Sequence, residues 1–322
     1  MFAIIRALAA CAAVLICPAT QAQEMFPSRP LRLVVPFAAG GVGDTIARTI
    51  SNQLAQQLGQ PVLVDNRPGG DGVTAAEQVS KSPADGYTIL QVSTVQVINQ
   101  VLRDKPKLDL LRDFTPVARA VRSTLVLVVP ASSPHTSVRE LMAAAKSKPG
   151  GLTYGSGAIG SVGHLSAELF KRSAKIEAMH VPYKGNSALM PDLMGGRLDF
   201  SFTNQPEAMQ GVASGRLRAL AVTAMQRNPV LPDVPTMIES GFPGFDPSSF
   251  YGYLVPAGTP APVVEQLHAA MAKAVASPEV QERFKTLGMS SASGTPEELA
   301  ASIRADLVRW SEVVKAAKIQ AE

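Results

Sequence analysis

The chain has 322 residues, of which 46% are hydrophobic and 17% charged, with a formal net charge of +4 at pH 7. This composition is typical of a globular protein with a sizeable core, and the length suits two domains. The basic residues are scattered along the chain, so the sequence gives no indication of a nucleic-acid-binding surface.

The first 22 residues have the composition of a secretory signal peptide. Their single charge precedes an apolar run at 7–17, and the small-residue sequence PATQA follows at 18–22. The apolar run is too short to span a membrane, so we expect export and cleavage after Ala22. Lipid attachment at Cys11 is the alternative. Cys11 and Cys17 both lie in this segment, so the exported protein is expected to contain no disulfide.

A strand, a glycine-rich turn and a helix follow one another at residues 31–50 (LRLVVPFAAGGVGDTIARTI). The apolar run stops at Pro36, small residues occupy 38–43, and a helical pattern opens at Asp44. This is the opening unit of an open α/β sheet. The N-terminus of such a helix exposes backbone N–H donors and can receive an anion.

Strand and helix patterns alternate further along the chain and predict mostly parallel sheets with right-handed crossovers. Residues 105–115 look irregular, and 227–247 is a proline-rich connection. Trp310 falls on the apolar stripe of the last helix, which predicts a core position. We predict strands at 61–64, 85–90, 125–129, 153–156, 178–181, 199–203, 217–223 and 250–255, and helices at 73–81, 95–102, 137–147, 163–172, 187–194, 206–214, 263–276, 278–287 and 296–317.

Most signatures of catalysis and cofactor binding are missing from the sequence. It contains no G-x-S-x-G motif and no phosphate-binding loop, and the glycines at 41–43 lack the third glycine of a dinucleotide fingerprint. The four histidines show no metal-ligand spacing. We therefore expect no metal ion and no cofactor.

Two turns of the same kind remain, at 38–43 and at 156–163 (SGAIGSVG). Each follows a strand and precedes a helix, one in each half of the chain, and ligands of open α/β sheets lie beyond the carboxyl ends of strands. The pair could hold a small anion from both sides. The alternative is that the glycines only permit tight turns. Asp44 would repel an anion, unless it serves as a cap or dipole partner.

The chain from residue 26 to 318 resembles the substrate-binding receptors of tripartite tricarboxylate transporters, the Bug family. The motifs that carry the resemblance are FPSRPLRLVVPFAAGG at 26–41 with Asp44, Ala47 and Arg48, VDNRPG at 64–69, DGYT at 85–88, His164-Leu165, HVPYKG at 180–185 and VPAGTP at 255–260. They follow one another in order along nearly the whole chain.

The resemblance implies a periplasmic binding protein-like fold of type II. Two α/β lobes with mixed, mostly parallel sheets are joined by two crossing strands, and the ligand lies in the cleft between them. We expect one lobe at 23–124 and 248–322 and the other at 125–247. The implied partners are a small carboxylate and a membrane transporter or a sensor, with no nucleic acid, and we expect a periplasmic monomer.

The resemblance also implies that backbone groups and ordered waters of the two turns hold the carboxylate. Thr203 and Asn204 of the second lobe and Thr94 and Gln96 of the first are further candidates for ligand contact. For His164 a capping or packing role is the alternative. The implied turn positions are Phe37, Ala38, Ala39, Gly40, Gly41 and Asp44, and Ser156, Gly157, Ile159, Gly160, Ser161 and His164.

Two other functions remain open at this point. One is a periplasmic hydrolase that uses Ser156 or Ser161 with His164. The other is a sensory or adaptor protein. If such a protein has lost ligand binding, the space between its lobes is expected to be filled. We expect a receptor without catalysis.

Overall fold

The computed structural model describes residues 25–319, apart from residues 104, 105, 229 and 288. The expected signal peptide at 1–22, with both cysteines, lies outside the described residues. Within the described part of the chain, no helix combines the length and the apolar character that crossing a membrane requires.

Strands and helices alternate in the first part of the structure, as the sequence predicts. In chain order they are β1 (Leu31–Val35), α1 (Val42–Leu58), β2 (Val62–Asn66), a short 3-10 helix (Gly70–Gly72), α2 (Val73–Ser80), β3 (Thr88–Ser93), α3 (Thr94–Leu102), β4 (Phe114–Pro130) and α4 (Val138–Ser147).

The second part continues the alternation and ends with helices. It contains β5 (Leu152–Ser156), α5 (Val162–Ala174), β6 (Ala178–Pro182), α6 (Asn186–Met194), β7 (Ser201–Asn204), α7 (Gln205–Ala213), β8 (Leu217–Val222), β9 (Ser248–Pro256), α8 (Ala261–Ala276), α9 (Pro278–Thr286), β10 (Ser290–Gly294) and α10 (Pro296–Ala317).

The predicted mixed α/β architecture is confirmed, but parallel pairs are fewer than expected. The main sheet has the order β10-β4-β9-β3-β1-β2, and β7 and β8 also pair with β4. Parallel pairing joins β1 to β2 and to β3, and β5 to β6. The expectation of mostly parallel sheets is wrong because β9 returns from late in the chain and inserts antiparallel between β3 and β4.

Strand β4 is the long element that connects the two halves of the sheet. Its residues 114–124 pair with β9, and from Leu125 onward it pairs with β7 and β8. The run Leu125–Pro130 is buried at every position, as expected for a strand covered on both faces. We propose the lobe boundary at this change of partners, between 124 and 125, with the return at 248.

The chain returns to the first part of the sheet beside a small network of charged residues. Asp246 accepts hydrogen bonds from Arg122 of β4 at 3.2 Å and from Arg309 of α10 at 2.9 Å. Arg122 also donates to the hydroxyl of Ser248, at 2.9 Å. Both crossings between the two parts of the chain are therefore tied to each other and, through Arg309, to the last helix.

Helix α10 packs its apolar stripe into the hydrophobic core, as predicted. Trp310 is fully buried, together with Leu299 and Ile303, whereas Val308 on the same helix is 63% exposed. The cluster around Trp310 includes residues from both parts of the chain, such as Leu127 and Phe170.

We predict that Trp310→Ala lowers the free energy of unfolding by about 3–5 kcal/mol, because it leaves a cavity that the neighbours fill only in part. Val308→Ala removes apolar volume from the same helix at an exposed position. It should change the free energy of unfolding by less than about 0.5 kcal/mol. Urea unfolding of both variants measures the difference. Equal losses would contradict the placement of Trp310 in the core.

Candidate functional site

The first candidate turn, between β1 and α1, is held by the carboxylate of Asp44. Its Oδ2 accepts the Gly40 N–H at 2.9 Å and the Arg48 Nε–H at 2.9 Å, and its Oδ1 accepts from the Asn66 amide at 2.9 Å. The Asn66 amide also donates to the Phe37 carbonyl, at 3.1 Å. Asp44 is thus neither a free charge nor a simple helix cap.

The ionised form of Asp44 is stabilised within this turn. Burial opposes ionisation, but hydrogen bonds from Arg48, Gly40 and Asn66 outweigh it and lower the pKa of the Asp44 carboxyl below its ordinary value. The Arg48 guanidinium also offsets the negative charge. The repulsion of an anionic ligand, which Asp44 alone would cause, is therefore reduced.

The second turn, between β5 and α5, is built in the same way. The Gly160 N–H donates to Nδ1 of His164 at 3.0 Å, and the Ser161 hydroxyl accepts the His164 N–H at 3.2 Å. In both turns a glycine with positive φ, Gly40 at 82° and Gly160 at 73°, donates to the side chain four residues later. Only glycine adopts such a φ without strain.

The same hydrogen bonds decide which amides remain for a ligand. The N–H of Gly40 is taken by Asp44 and that of Gly160 by His164. The next N–H in each turn donates to a carbonyl three residues earlier, Gly41 to Ala38 at 3.3 Å and Ser161 to Ala158 at 3.2 Å. Among the predicted turn positions 37–41 and 157–161, no hydrogen bond to a described residue takes the amides of Phe37, Ala38, Ala39, Gly157 and Ile159, nor that of Ala158.

His164 belongs to a buried aromatic stack that the sequence did not reveal. Its ring stacks on His180 of β6 with centroids 3.8 Å apart, and Tyr154 of β5 stacks on His180 at 4.9 Å. Burial first, and then the charges of His180 and Lys171, lower the pKa of His164 to about 3. Burial also lowers the pKa of His180 to about 4, with Glu168 opposing the shift. Both rings are neutral near pH 7.

Ser156 contacts this stack but is not arranged as a nucleophile. Its hydroxyl lies 2.7 Å from Nε2 of His180 and 2.9 Å from the carbonyl oxygen of Ala158. The hydroxyl has one proton, and the carbonyl can only accept. Both hydrogen bonds form only if His180 donates to Ser156 and Ser156 donates to Ala158. In that arrangement His180 holds its Nε2 proton and is no base for Ser156.

Ring packing, an electrostatic interaction and hydrogen bonds link the first turn to the second. The Phe37 ring packs edge-on against Tyr251 of β9, with centroids 6.0 Å apart. Burial, and then the charge of Glu207 on α7, raise the pKa of Tyr251 to about 12. Glu207 Oε1 accepts from Asn186 at 3.4 Å. Asn186 lies against the second turn, because a Cβ on Gly157 would be 2.5 Å from its Oδ1.

The second turn also faces helix α3 of the first part. A cleft of about 500 Å³ lies between the C-terminal end of α3, with Leu102 and the following Arg103, and the segments 157–159 and 182–185. A Cβ on Gly160 would be 2.5 Å from Cδ1 of Leu102, so only glycine allows the turn to approach this helix so closely.

The remaining candidates differ in how much their side chains are engaged. Thr94 is fully buried, and its hydroxyl accepts the Phe250 N–H at 3.1 Å, which favours a structural role. Gln96 forms a capping box with Ser93, which also favours structure. Thr203 is buried with a hydroxyl that has no hydrogen-bond partner among the described residues. The Asn204 amide donates to Glu207 at 3.4 Å.

Within the described residues, no group of three or more histidine, cysteine, aspartate or glutamate side chains could hold a metal ion. Three groups near the turns were not predicted as site residues from the sequence: His180, Tyr251 and Glu207. A sequence signal was available only for His180, which belongs to the HVPYKG motif. The other two are brought to the site by the fold.

We predict that the stack makes stability depend on pH. Unfolded histidines protonate near pH 6.5, whereas His164 and His180 stay neutral in the folded state until about pH 3 and 4, so stability falls as the pH drops through this window. In His180→Asn the loss between pH 7 and pH 5 should be smaller by about 1–2 kcal/mol.

Urea unfolding at the two pH values measures this effect. His135→Asn, which removes a histidine outside the stack, is the matched control and should follow the parent protein. An identical pH-dependent loss in His180→Asn and His135→Asn would rule out a half-buried His180 that stays neutral in this pH range.

One known family and several known proteins are similar to this chain in sequence. The family described as a tripartite tricarboxylate transporter family receptor (TctC) matches residues 46–319. A UPF0065 protein from the tcbD–tcbE intergenic region of Pseudomonas sp. strain P51 is 41% identical over 312 residues, which cover 96% of this chain and 93% of that protein. Protein BugT of Bordetella pertussis is 34% identical over 91% of this chain and 90% of its own.

Solved structures of similar proteins superpose on this chain over nearly its whole length. R. palustris Rpa4515 with adipate is 37% identical and superposes with a TM-score of 0.78, covering 92% of this chain and 99% of that one. MatC (Rpa3494) from Rhodopseudomonas palustris with bound malate is 32% identical, with a TM-score of 0.74 and coverage of 90% and 100%. The resemblance inferred from the sequence is confirmed, and the chain belongs to the tripartite tricarboxylate transporter receptor family, together with Bug relatives such as BugT.

Proposed function

We propose that the exported chain is a periplasmic solute receptor that captures a small carboxylate between its two lobes, with no catalytic step. It passes the ligand to the membrane subunits of a tripartite tricarboxylate transporter. Relatives of the same family are known with adipate and with malate, which supports a carboxylate ligand. The transporter partner follows from the family to which the chain belongs.

The observation that carries the proposal is the pair of equivalent turns. In each turn a side chain of the following helix fixes one glycine amide, so the neighbouring amides are held ready for an anion. Amides at a helix N-terminus attract a carboxylate through the helix dipole and direct hydrogen bonds. The ligand-binding positions we propose are residues 37–41 and 156–161, with Asp44 and His164 as the residues that shape them.

The electrostatics of the two acceptors suit an anionic ligand. His164 accepts the Gly160 N–H through a neutral ring, so it adds no negative charge. Asp44 does carry a charge, but Arg48 and Asn66 bind its oxygens. An acid group can therefore approach both turns without meeting an uncompensated carboxylate in either of them.

Ligand binding would couple to movement of the lobes. A carboxylate that contacts both turns binds the closed form more tightly than the open one, so it shifts the equilibrium towards closure. The membrane subunits would then recognise the closed form. The alternative is that a sensor protein, and not the membrane subunits, recognises the closed form.

We predict that the purified exported protein is stabilised by a small set of carboxylates of two to eight carbon atoms. At 100 times the dissociation constant, the ligand should add about 2.7 kcal/mol to the free energy of unfolding. Thermal shift and calorimetric titration measure this, with the methyl esters of the same acids as matched controls without charge. If no acid shifts the transition, or if the esters do so equally, the carboxylate receptor is excluded.

Gly157→Ala should weaken ligand binding at least tenfold. The new Cβ would lie 2.5 Å from Oδ1 of Asn186 and displace the turn. Gly195→Ala, at the other end of α6, is the matched control, since its Cβ would lie 3.1 Å from the Pro191 carbonyl oxygen and far from the turn in sequence. Titration calorimetry measures the ligand affinity of both variants. Equal affinities would show that the ligand does not bind at the second turn.

A further inference from the structure

The carboxylate of Glu207, in the first turn of α7, is only half satisfied. Its Oε1 accepts two long hydrogen bonds, each 3.4 Å, from the side-chain amides of Asn186 and Asn204. Its Oε2 is buried and accepts none from the described residues. No cationic side chain of the described residues forms an ion pair with it.

Glu207 lies in the second part of the chain and is joined to the second candidate turn through Asn186. Its charge reaches the hydroxyl of Tyr251, whose ring packs against Phe37 of the first turn. Its partner Asn186 contacts Gly157 of the second turn. Asn186 therefore joins the Glu207 carboxylate to the turn whose amides are the proposed binding site of the acid group.

The fold by itself does not explain the unpaired oxygen. A glutamate in the first turn of a helix complements the helix dipole, and this interaction accounts for an acidic residue at position 207. It supplies no hydrogen-bond donor to Oε2. The hydroxyl of Thr203, near the end of the strand that leads into α7, is likewise buried, so two polar atoms at this junction have no hydrogen-bond partner in the part of the chain that the structure describes.

Glu207 differs from Asp44 in its hydrogen-bond and ion-pair partners. Both oxygens of Asp44 accept hydrogen bonds from described residues, and Arg48 pairs with its charge. Among the described residues, Glu207 has no such cation as an ion-pair partner. A buried carboxylate oxygen without a donor is costly, and the cost disappears when a bound molecule supplies an N–H.

We propose that the ligand of this receptor is a carboxylic acid that also carries an N–H donor, either an ammonium or a primary amide, and that Glu207 receives this donor. The inference rests on the proposed receptor function and defines its ligand class. The acid group binds the amides of the turns, and the N–H group binds Oε2 of Glu207. A second ionised carboxylate at that end of the ligand would be repelled.

The test is a series of ligands matched in length, with adipate, glutarate and succinate as the dicarboxylates. Each is compared with its monoamide, with the ω-amino acid of the same length and with the unsubstituted monocarboxylate. Titration calorimetry gives the dissociation constants for the parent protein, for Glu207→Gln and for Glu177→Gln. Glu177 is an exposed glutamate in the same half of the chain and serves as the matched control.

We expect the parent protein to bind the N–H ligand of at least one length tenfold or more tightly than the dicarboxylate and the monocarboxylate of that length. In Glu207→Gln this preference should fall at least tenfold, because the carboxamide donates to a carboxylate and no longer attracts a cation. Glu177→Gln should keep the preference. Preference for the ω-amino acid alone assigns an ammonium, and equal preference for the monoamide assigns a neutral N–H.

Equal or tighter binding of the dicarboxylate or the monocarboxylate by the parent protein overturns the role of Glu207 and leaves the receptor function intact. An unchanged preference in a folded Glu207→Gln variant, checked by circular dichroism, does the same. If no acid of the series binds to the parent protein, the receptor function and the ligand class both fail.

Discussion

A hydrogen bond from a glycine amide to a side chain four residues later is the constraint on which both candidate turns depend. Gly40 donates to Asp44 and Gly160 donates to His164, and each acceptor is the third residue of its helix. The bond fixes a backbone conformation with positive φ that other residues adopt only with strain. It ties each turn to the helix that follows, so the amides beside the glycine keep their positions.

The two acceptors reach the same geometry by different chemistry. Asp44 is ionised, and hydrogen bonds from Arg48 and Asn66 hold it in that form. His164 is neutral because burial and the stacked ring of His180 disfavour its protonation. Each turn thus has a strong acceptor for its own glycine without presenting an uncompensated charge to an acid. The stack beneath the second turn thereby keeps His164 as a neutral acceptor for the Gly160 amide.

The link between the lobes depends on a second charged contact. Asp246 joins Arg122 of β4 to Arg309 of α10 where the chain returns from the second part to the first. Lobe closure is expected to bend the chain near this point, while α10 packs against both parts through a common core. The two crossings would then move together, which suits a receptor whose ligand must contact both lobes.

The strand–turn–helix units, the family and the core position of Trp310 were predictable from the sequence, because they depend on local turn chemistry, on helical periodicity and on motifs. The sequence failed to predict β10 and residues 114–124 of β4, whose patterns are weak and whose extension depends on pairing with other strands. The stack of His164 on His180, the fit of Asn186 against Gly157 and the unpaired oxygen of Glu207 join residues from different elements. Only the tertiary structure decided them, since the path of the whole chain sets which side chains meet.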